Sequence, residues 1–281
     1  MKVYYINLDR SPERRAWFTK QAEALGLDLV RVPAVDGREL PAAELDRWRQ
    51  LSEGNKILSP GEIGCFLSHR KAWEMVLAGQ EKWAFIAEDD IHFSERTKIF
   101  FQDIIWLPRN TDLVKAETDL RRHQFSRKYL PLTGPYNLRK LHSNHLNAGG
   151  YFISKNSCKI LLSYTENKCE AVDGLLFAKI FMKEHKLKIY QLDPAICIQS
   201  RFLDEFDGIL SFSSDLEKDR IKYRKILKNE VSLFLNKIYR EINRIFNQIE
   251  NFYIILFSVI FRISVYKSIE FYSDNNIKRK K

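Results

Sequence analysis

The acidic triplet Glu88-Asp89-Asp90 is the strongest chemical signal in the chain. It follows Trp83-Ala84-Phe85-Ile86-Ala87, a continuous apolar run of the kind a strand buried on both faces requires. Alternate strand residues share a face, so Glu88 and Asp90 are expected to point the same way at the carboxyl edge of a sheet. Two carboxylates so placed suit a hard divalent cation held against a diphosphate; a solvated acidic turn would give the same triplet. Arg10, Arg14 and Arg15 lie just after an opening strand and in the helix behind it. Guanidinium forks and a helix N-terminus favour a nucleotide diphosphate there, although a solvated helix face would read the same way. His69, in Ser68-His69-Arg70, sits mid-helix beside apolar residues, more often the setting of a hydrogen-bonded core histidine than of a catalyst. Gly149 and Gly150 precede a strand, where small residues let backbone approach a ligand or simply make a tight turn. Asp173 stands at a helix start as either a cap or a functional carboxylate.

The elements that must position these groups follow from local pattern. Val3-Tyr4-Tyr5-Ile6 reads as a buried first strand and Asn7 to Pro12 as a loop. Ser11 and Pro12 open a helix that runs to about Leu25 and closes at Gly26. Leu29 to Val32 is a second strand, leading to a turn at Asp36-Gly37. Ser59-Pro60-Gly61-Glu62 opens another helix, which Gly79 ends before the apolar run at Trp83. Further strands are expected at Asp112–Ala116, Gly150–Ser154 and Leu187–Gln191, with helices at Lys155–Tyr164 and Val172–Glu184. Strands alternating with helices imply an α/β sheet, which binds ligands at the carboxyl ends of its strands. The chain has no G-x-x-x-x-G-K-[ST] loop, no G-x-G-x-x-G fingerprint and no G-x-S-x-G elbow, which removes the main support for ATPase, Rossmann dehydrogenase and serine hydrolase readings.

The formal charge of +10 over 281 residues is unevenly placed. Leu216 to Lys281 carries 15 Lys/Arg against 7 Asp/Glu, whereas Met1 to Asp215 carries 31 against 29. A nucleic-acid enzyme would carry its basic surface around the active site, so no nucleic-acid partner is expected. Leu227, Val231, Phe234, Ile238, Ile242, Ile245 and Ile249 fall on one helical face beside basic residues. The apolar run Phe252–Phe261 is about half the ~20 residues that a membrane span needs. Together they describe a basic amphipathic helical segment, residues 216–281, that lies on an anionic membrane surface without crossing it. Cys65, Cys158, Cys169 and Cys197 form no C-x-x-C pair and none is expected to have a histidine at ligand spacing, so they read as reduced thiols of a cytosolic protein. The opening residues carry no apolar signal segment.

In order along the chain, VYYINLDRSPERR (residues 3–15), VPAVDG (32–37), LSPGEIGCFLSHRKAW (58–73), AFIAEDD (84–90), GGYFIS (149–154) and AVDG (171–174) resemble glycosyltransferase family 25 over roughly residues 1–205. The resemblance implies a GT-A-like α/β catalytic domain over residues 1–215, a UDP-sugar donor and an inverting transfer. Members commonly move galactose in β linkage onto lipooligosaccharide or lipopolysaccharide acceptors at the inner face of the bacterial inner membrane. Carried onto this chain, it implies donor contacts at Asn7, Leu8, Arg10, Arg14, His69, Glu88, Asp89, Gly149 and Gly150. It also implies a divalent cation, Mn2+ or Mg2+, at Glu88 and Asp90, with Glu88 standing where other GT-A enzymes have the first Asp of D-x-D. A carboxylate would serve as base; Asp173 is favoured, but spacing does not separate it from Glu117 or Asp90. A catalytically inactive, membrane-associated scaffold of the same fold is the alternative.

Overall fold

The structure is a computed structural model that describes residues 1–52, 58–178, 184–203 and 263–273, with residues 241, 244, 245, 248, 252 and 253 between the last two stretches. Its elements in chain order are β1 (Lys2–Asn7), α1 (Pro12–Ala24), β2 (Asp28–Pro33), α2 (Ala42–Gln50), α3 (Pro60–Ala78), β3 (Trp83–Glu88) and β4 (Ile91–Phe93). There follow β5 (Leu113–Lys115), β6 (Glu117–Thr118), β7 (Arg122–Pro131), β8 (Asn137–Leu141), β9 (Gly150–Ser154), α4 (Lys155–Tyr164), α5 (Val172–Leu176), β10 (Ile189–Asp193), β11 (Cys197–Gln199) and β12 (Ser264–Ser268). Nine strands form one mixed sheet in the order β12-β7-β8-β10-β5-β9-β3-β1-β2, and β4-β11-β6 form a small second sheet. This is the expected α/β class, with helices against a central sheet.

β3 and β1 pair in parallel toward the β2 end of the large sheet, Ile6 opposite Glu88. Because both faces are covered, their residues divide by alternation between two cores. Tyr4, Ile6, Ala84 and Ile86 pack with Ile63, Phe66, Trp73 and Val76 of α3. Val3, Tyr5, Phe85 and Ala87 pack with Phe18 and Ala22 of α1. α3 is well specified at its start. Ser59 accepts from the Glu62 amide and Glu62 returns a bond to the Ser59 amide, with Pro60 in the first turn. Such a cap contributes about 1 kcal/mol.

Several elements depart from the sequence reading. The helix expected over 172–184 ends at Leu176, where Phe177 turns inward to complete burial against Tyr151; residues 179–183 lie outside the described residues. β7 and β8 form a hairpin that local pattern does not reveal, because RHQFSRKYLP is mostly polar and only its Gln124 and Phe125 are buried. β12 lies within the segment read as a helical tail, yet it pairs antiparallel with β7 as the edge strand of the large sheet. Most of the amphipathic face from Leu227 to Ile249, the apolar run beyond Tyr253, the basic end Lys278–Lys281 and the boundary at Asp215 lie outside the described residues. Among the described residues no helix is long and apolar enough to cross a membrane.

One close backbone contact sets the mouth of the molecule. A Cβ on Gly64 would stand 2.6 Å from both the Gly37 nitrogen and the Val35 oxygen, so α3 meets the turn after β2 backbone to backbone. Gly64→Ala is therefore expected to cost about 1–3 kcal/mol, the usual range for overpacking. Urea unfolding checks this, and an unchanged midpoint would show that the turn can retreat freely.

Candidate active site

A cleft opens at the carboxyl ends of β1, β2 and β3. Its walls are Leu8, Arg10 and Arg14, the turn Ala34–Arg38, the first half of α3, the acidic triplet, Asn147-Ala148, Ala171–Asp173, Gln199 and Arg201. The strand alternation that sorts the core also sorts the charges. Glu88 continues the Ala84–Ile86 face and meets α3. Its Oε1 lies 3.4 Å from His69 Nε2 and 3.9 Å from Cys65 Sγ. Asp89 continues the Phe85–Ala87 face and meets α1, where Arg14 binds its Oδ1 at 2.7 Å. Asn7, last residue of β1, donates Nδ2 to Asp89 Oδ2 at 2.7 Å and to the Ser11 carbonyl at 3.1 Å. Asp90, beyond the strand, lies 3.5 Å from Arg14.

Gln199 links the triplet's two outer members. Its Nε2 donates to Glu88 Oε2 at 2.9 Å and reaches Asp90 Oδ1 at 3.4 Å. Glu88 and Asp90 thus share one donor, the Gln199 amide, which draws the two carboxylates together at the cleft. Gln199 Oε1 in turn accepts from Arg201 at 2.9 Å, and Arg201 also binds the Asn147 side chain. The Arg201 Nε, buried, has no hydrogen-bond partner among the described residues. Across the cleft Arg10 pairs with Asp36. Asp173 is not the cap of α5, which is Ala171; its carboxylate takes the Gly174 amide at 2.8 Å and the Asn147 amide at 3.4 Å, and it faces the cleft.

His69 is fully buried and held by a chain of polar side chains. Trp73 Nε1 donates to the Tyr151 hydroxyl at 3.0 Å, and that hydroxyl lies 2.9 Å from His69 Nδ1. A Tyr151 proton given to Nδ1 leaves the His69 proton on Nε2, facing Glu88. Burial works against the Glu88 charge. The hydrogen bond and electrostatic pull of His69, followed by Arg201 and Arg14, outweigh it and hold the carboxyl below its usual range. Asp89 goes the other way: burial, opposed by Arg14 and reinforced by Asp90, lifts it to about 6. Burial likewise lifts Asp90, against Arg14 and with Glu88 adding.

Other expected site residues fall elsewhere. Glu117 is wholly buried behind the cleft, where Lys115 Nζ reaches its Oε1 at 2.9 Å and the Gly149 amide at 2.7 Å. It cannot meet an acceptor sugar there. Gly149 and Gly150 admit protein, not ligand: a Cβ on Gly149 would stand 2.8 Å from Glu117 Oε2, and one on Gly150 2.4 Å from Cys197 Sγ. Asn7, 1% exposed, supports Asp89 from behind. Cys65 needs a correction as well. Cys65 and His69 are four residues apart, one turn of α3 and so on one face. With Glu88 they place three ligating atoms within 4.8 Å of one another. The i, i+4 spacing was readable from the sequence. Gln199 and Arg201 carried no motif, because they reach the cleft only through the pairing of β11 with β4 and β6.

An α/β sheet binds its ligand at the carboxyl ends of its strands, which is where this acidic, arginine-flanked cleft opens. The chain belongs to glycosyltransferase family 25, described as LPS biosynthesis proteins, whose sequence profile matches residues 1–176. It is 30% identical over 207 residues to the lipooligosaccharide biosynthesis protein lex-1 of Haemophilus influenzae, covering 68% of each chain. It is also 30% identical to the lipooligosaccharide biosynthesis protein lic2B of Haemophilus influenzae, over 85% of this chain and 95% of that one. The lacto-N-neotetraose biosynthesis glycosyltransferase LgtE of Neisseria meningitidis serogroup B is 27% identical, over 80% of this chain and 84% of its own length.

Glu117 gives a pH signature independent of catalysis. Burial, against the charge and bond of Lys115 and with Glu88 adding, raises its carboxyl from the ordinary 4.5 to about 7. The folded chain therefore holds this proton where the unfolded chain releases it. The group's stabilisation is complete below pH 4.5 and is lost as pH rises to about 7. Glu117→Gln should flatten this fall in the denaturation midpoint between pH 5 and 7. The same slope in the variant would assign the pH dependence to another group.

Proposed function

We propose that the chain is an inverting hexosyltransferase that moves galactose from UDP-galactose, in β linkage, onto a growing lipooligosaccharide acceptor. The observation that carries this reading is the convergence of Glu88 and Asp90 on one point, beside Arg10, Arg14 and Arg201, with Asp173 on the wall of the same cleft. Relatives named for lipooligosaccharide and lacto-N-neotetraose biosynthesis support the acceptor class.

The diphosphate lies over the carboxyl edge against Leu8, Arg10 and Arg201. Glu88 and Asp90 would hold an Mn2+ or Mg2+ ion, which supplies positive charge against the leaving diphosphate. Arg14 holds Asp89 and Asp90 in place and limits their repulsion. Asp173 takes the proton of the acceptor hydroxyl. The hydroxyl oxygen then bonds to the anomeric carbon as that carbon's bond to the UDP oxygen breaks, and attack from the opposite face inverts the centre. The Gly174 amide fixes Asp173 Oδ1 at 2.8 Å and the Asn147 amide reaches Oδ2 at 3.4 Å, which together orient the carboxylate in the cleft wall.

The test is a screen of labelled UDP-sugars with lipooligosaccharide acceptors, using the full chain and its Asp173→Asn variant. UDP-galactose should give a β-linked product, and Asp173→Asn should lower kcat by about 10²–10⁴ with donor KM little changed. No turnover with any UDP-sugar would favour the inactive scaffold, and near-normal kcat in the variant would remove Asp173 as base.

The basic C-terminal quarter supports a location on the inner face of the bacterial inner membrane. Each Lys or Arg near an anionic surface contributes about 1 kcal/mol. The full chain should sediment with anionic liposomes at low salt and be released at high salt; failure to sediment contradicts the membrane assignment.

A further inference from the structure

The end of the large sheet formed by β8, β7 and β12 carries a basic protrusion that the cleft does not use. Residues 120–165 contain no Asp or Glu, and β7 with β8 contribute Arg122, Arg127, Lys128, Arg139 and Lys140. The register of β7 on β8 slips between Phe125 and Tyr129, so the segment between them bulges out of the ladder. Hydrogen bonds make the bulge a fixed feature. Ser126 Oγ accepts from the Lys140 amide at 3.0 Å and donates to the Lys128 carbonyl at 2.5 Å. The Arg127 amide donates to the Ile263 carbonyl at 3.0 Å.

Charge and apolar surface coincide there. Arg139 and Lys267 both bind Asp193 Oδ2, at 2.6 and 2.9 Å, so their charge is partly offset within the fold. Arg127, Lys128 and Lys140 are exposed and have no ion-pair partner among the described residues. Beside them Tyr129, Leu130 and Ile263 are 52%, 43% and 52% exposed. The Arg139 guanidinium lies 4.8 Å over the Tyr129 ring and holds it in place. A charged bulge can serve simply to guard a sheet edge, and β12 pairs with β7 only as far as Ser126. A guard has no need of three exposed apolar side chains. Aromatic and aliphatic groups set among unpaired cations are the composition of a surface that settles at lipid headgroups.

Chain continuity points to the same surface. The described fold resumes at Ile263, two residues after the apolar run Phe252–Phe261 ends, and Ile263 is bonded directly to Arg127 of the bulge. Two residues of chain reach at most about 7 Å. Any surface on which the end of that apolar run rests is therefore within reach of the bulge.

Given the membrane location proposed above, on which this inference rests, we propose that the β7 bulge is the face by which the sheet docks on an anionic phospholipid bilayer. Arg127, Lys128 and Lys140 meet the lipid phosphates, while Tyr129, Leu130 and Ile263 enter the headgroup layer. The membrane then has two contacts, the basic C-terminal quarter and a fixed part of the sheet. Two contacts set the orientation of the cleft as well as its proximity to a lipid-borne acceptor.

The experiment is sedimentation of the full chain with vesicles of phosphatidylglycerol and phosphatidylcholine. Arg127→Glu with Lys128→Glu should weaken binding by at least about 20-fold, since each cation near an anionic surface is worth about fivefold. Neither residue lines the cleft, and the thermal midpoint should not move. Lys82→Glu with Lys159→Glu makes the same change in net charge at exposed residues beside β3 and α4, and should weaken binding far less. A polarity-sensitive fluorophore on Leu130→Cys, in a Cys65→Ser background that leaves only buried thiols, should shift to the blue on vesicles. If the full chain ignores these vesicles, the membrane location falls and this face with it. If the full chain binds but the bulge variant loses no more than the Lys82/Lys159 control, or the fluorophore stays in water, the location stands and the face is wrong. Loss of RNA binding in the bulge variant, with vesicle binding intact, would assign the surface to nucleic acid instead.

Discussion

Three carboxylates stand in a row at the end of a strand sealed on both faces, and most of the cleft is arranged around that charge. Pleating forces Glu88 toward α3 and Asp89 toward α1, so no single cation can serve all three. Arg14 takes Asp89, His69 takes Glu88, and Gln199 bridges Glu88 to Asp90. Breaking a buried pair by removing one partner typically costs 3–5 kcal/mol, because a charge is left uncompensated. The supports are therefore interlocked. Asn7 holds Asp89 while accepting from Arg31, and Trp73 and Tyr151 hold His69.

The same constraint explains the division of labour between floor and wall. Residues on the floor, such as Glu117, Gly149 and Gly150, pack against protein and have no access to a ligand. Lys115 ties this floor together through Glu117 and the Asn147 carbonyl, and its ammonium lies 4.3 Å over the Phe177 ring. Residues on the wall come from the edges of the framework: Arg10 from the loop after β1, Asp173 from the first turn of α5 and Arg201 from the turn just after β11. An acidic centre ringed by Arg10, Arg14 and Arg201 is a preorganised charged cleft.

Much of the central fold was legible because its signals are local. The apolar run at Trp83–Ala87, the Ser59–Glu62 cap and the Gly26 and Gly79 stops each declare an element without help from distant residues. The hairpin of β7 and β8 and the edge strand β12 were not legible, because largely polar strands carry little apolar alternation and acquire their identity only by pairing. In the site, Glu88, Arg10 and Asp173 could be picked out because type and position coincide. Asp90 was expected to share the Glu88 face, but the strand ends at Glu88, and Gln199 draws the two together instead. Gln199 and Arg201 depend on β11 joining β4 and β6, contacts between segments far apart in the chain that leave no mark in either segment alone.

The central claim is that the acidic turn after β3 receives a nucleotide diphosphate together with a cation. Diffraction from crystals of the full chain grown with UDP and Mn2+, recorded at the manganese absorption edge, tests it directly. An anomalous peak between Glu88 and Asp90, with the diphosphate lying over Leu8, Arg10 and Arg201, is the expected result. Ordered UDP outside this cleft, or inside it with the diphosphate turned away from Glu88 and Asp90, would contradict it.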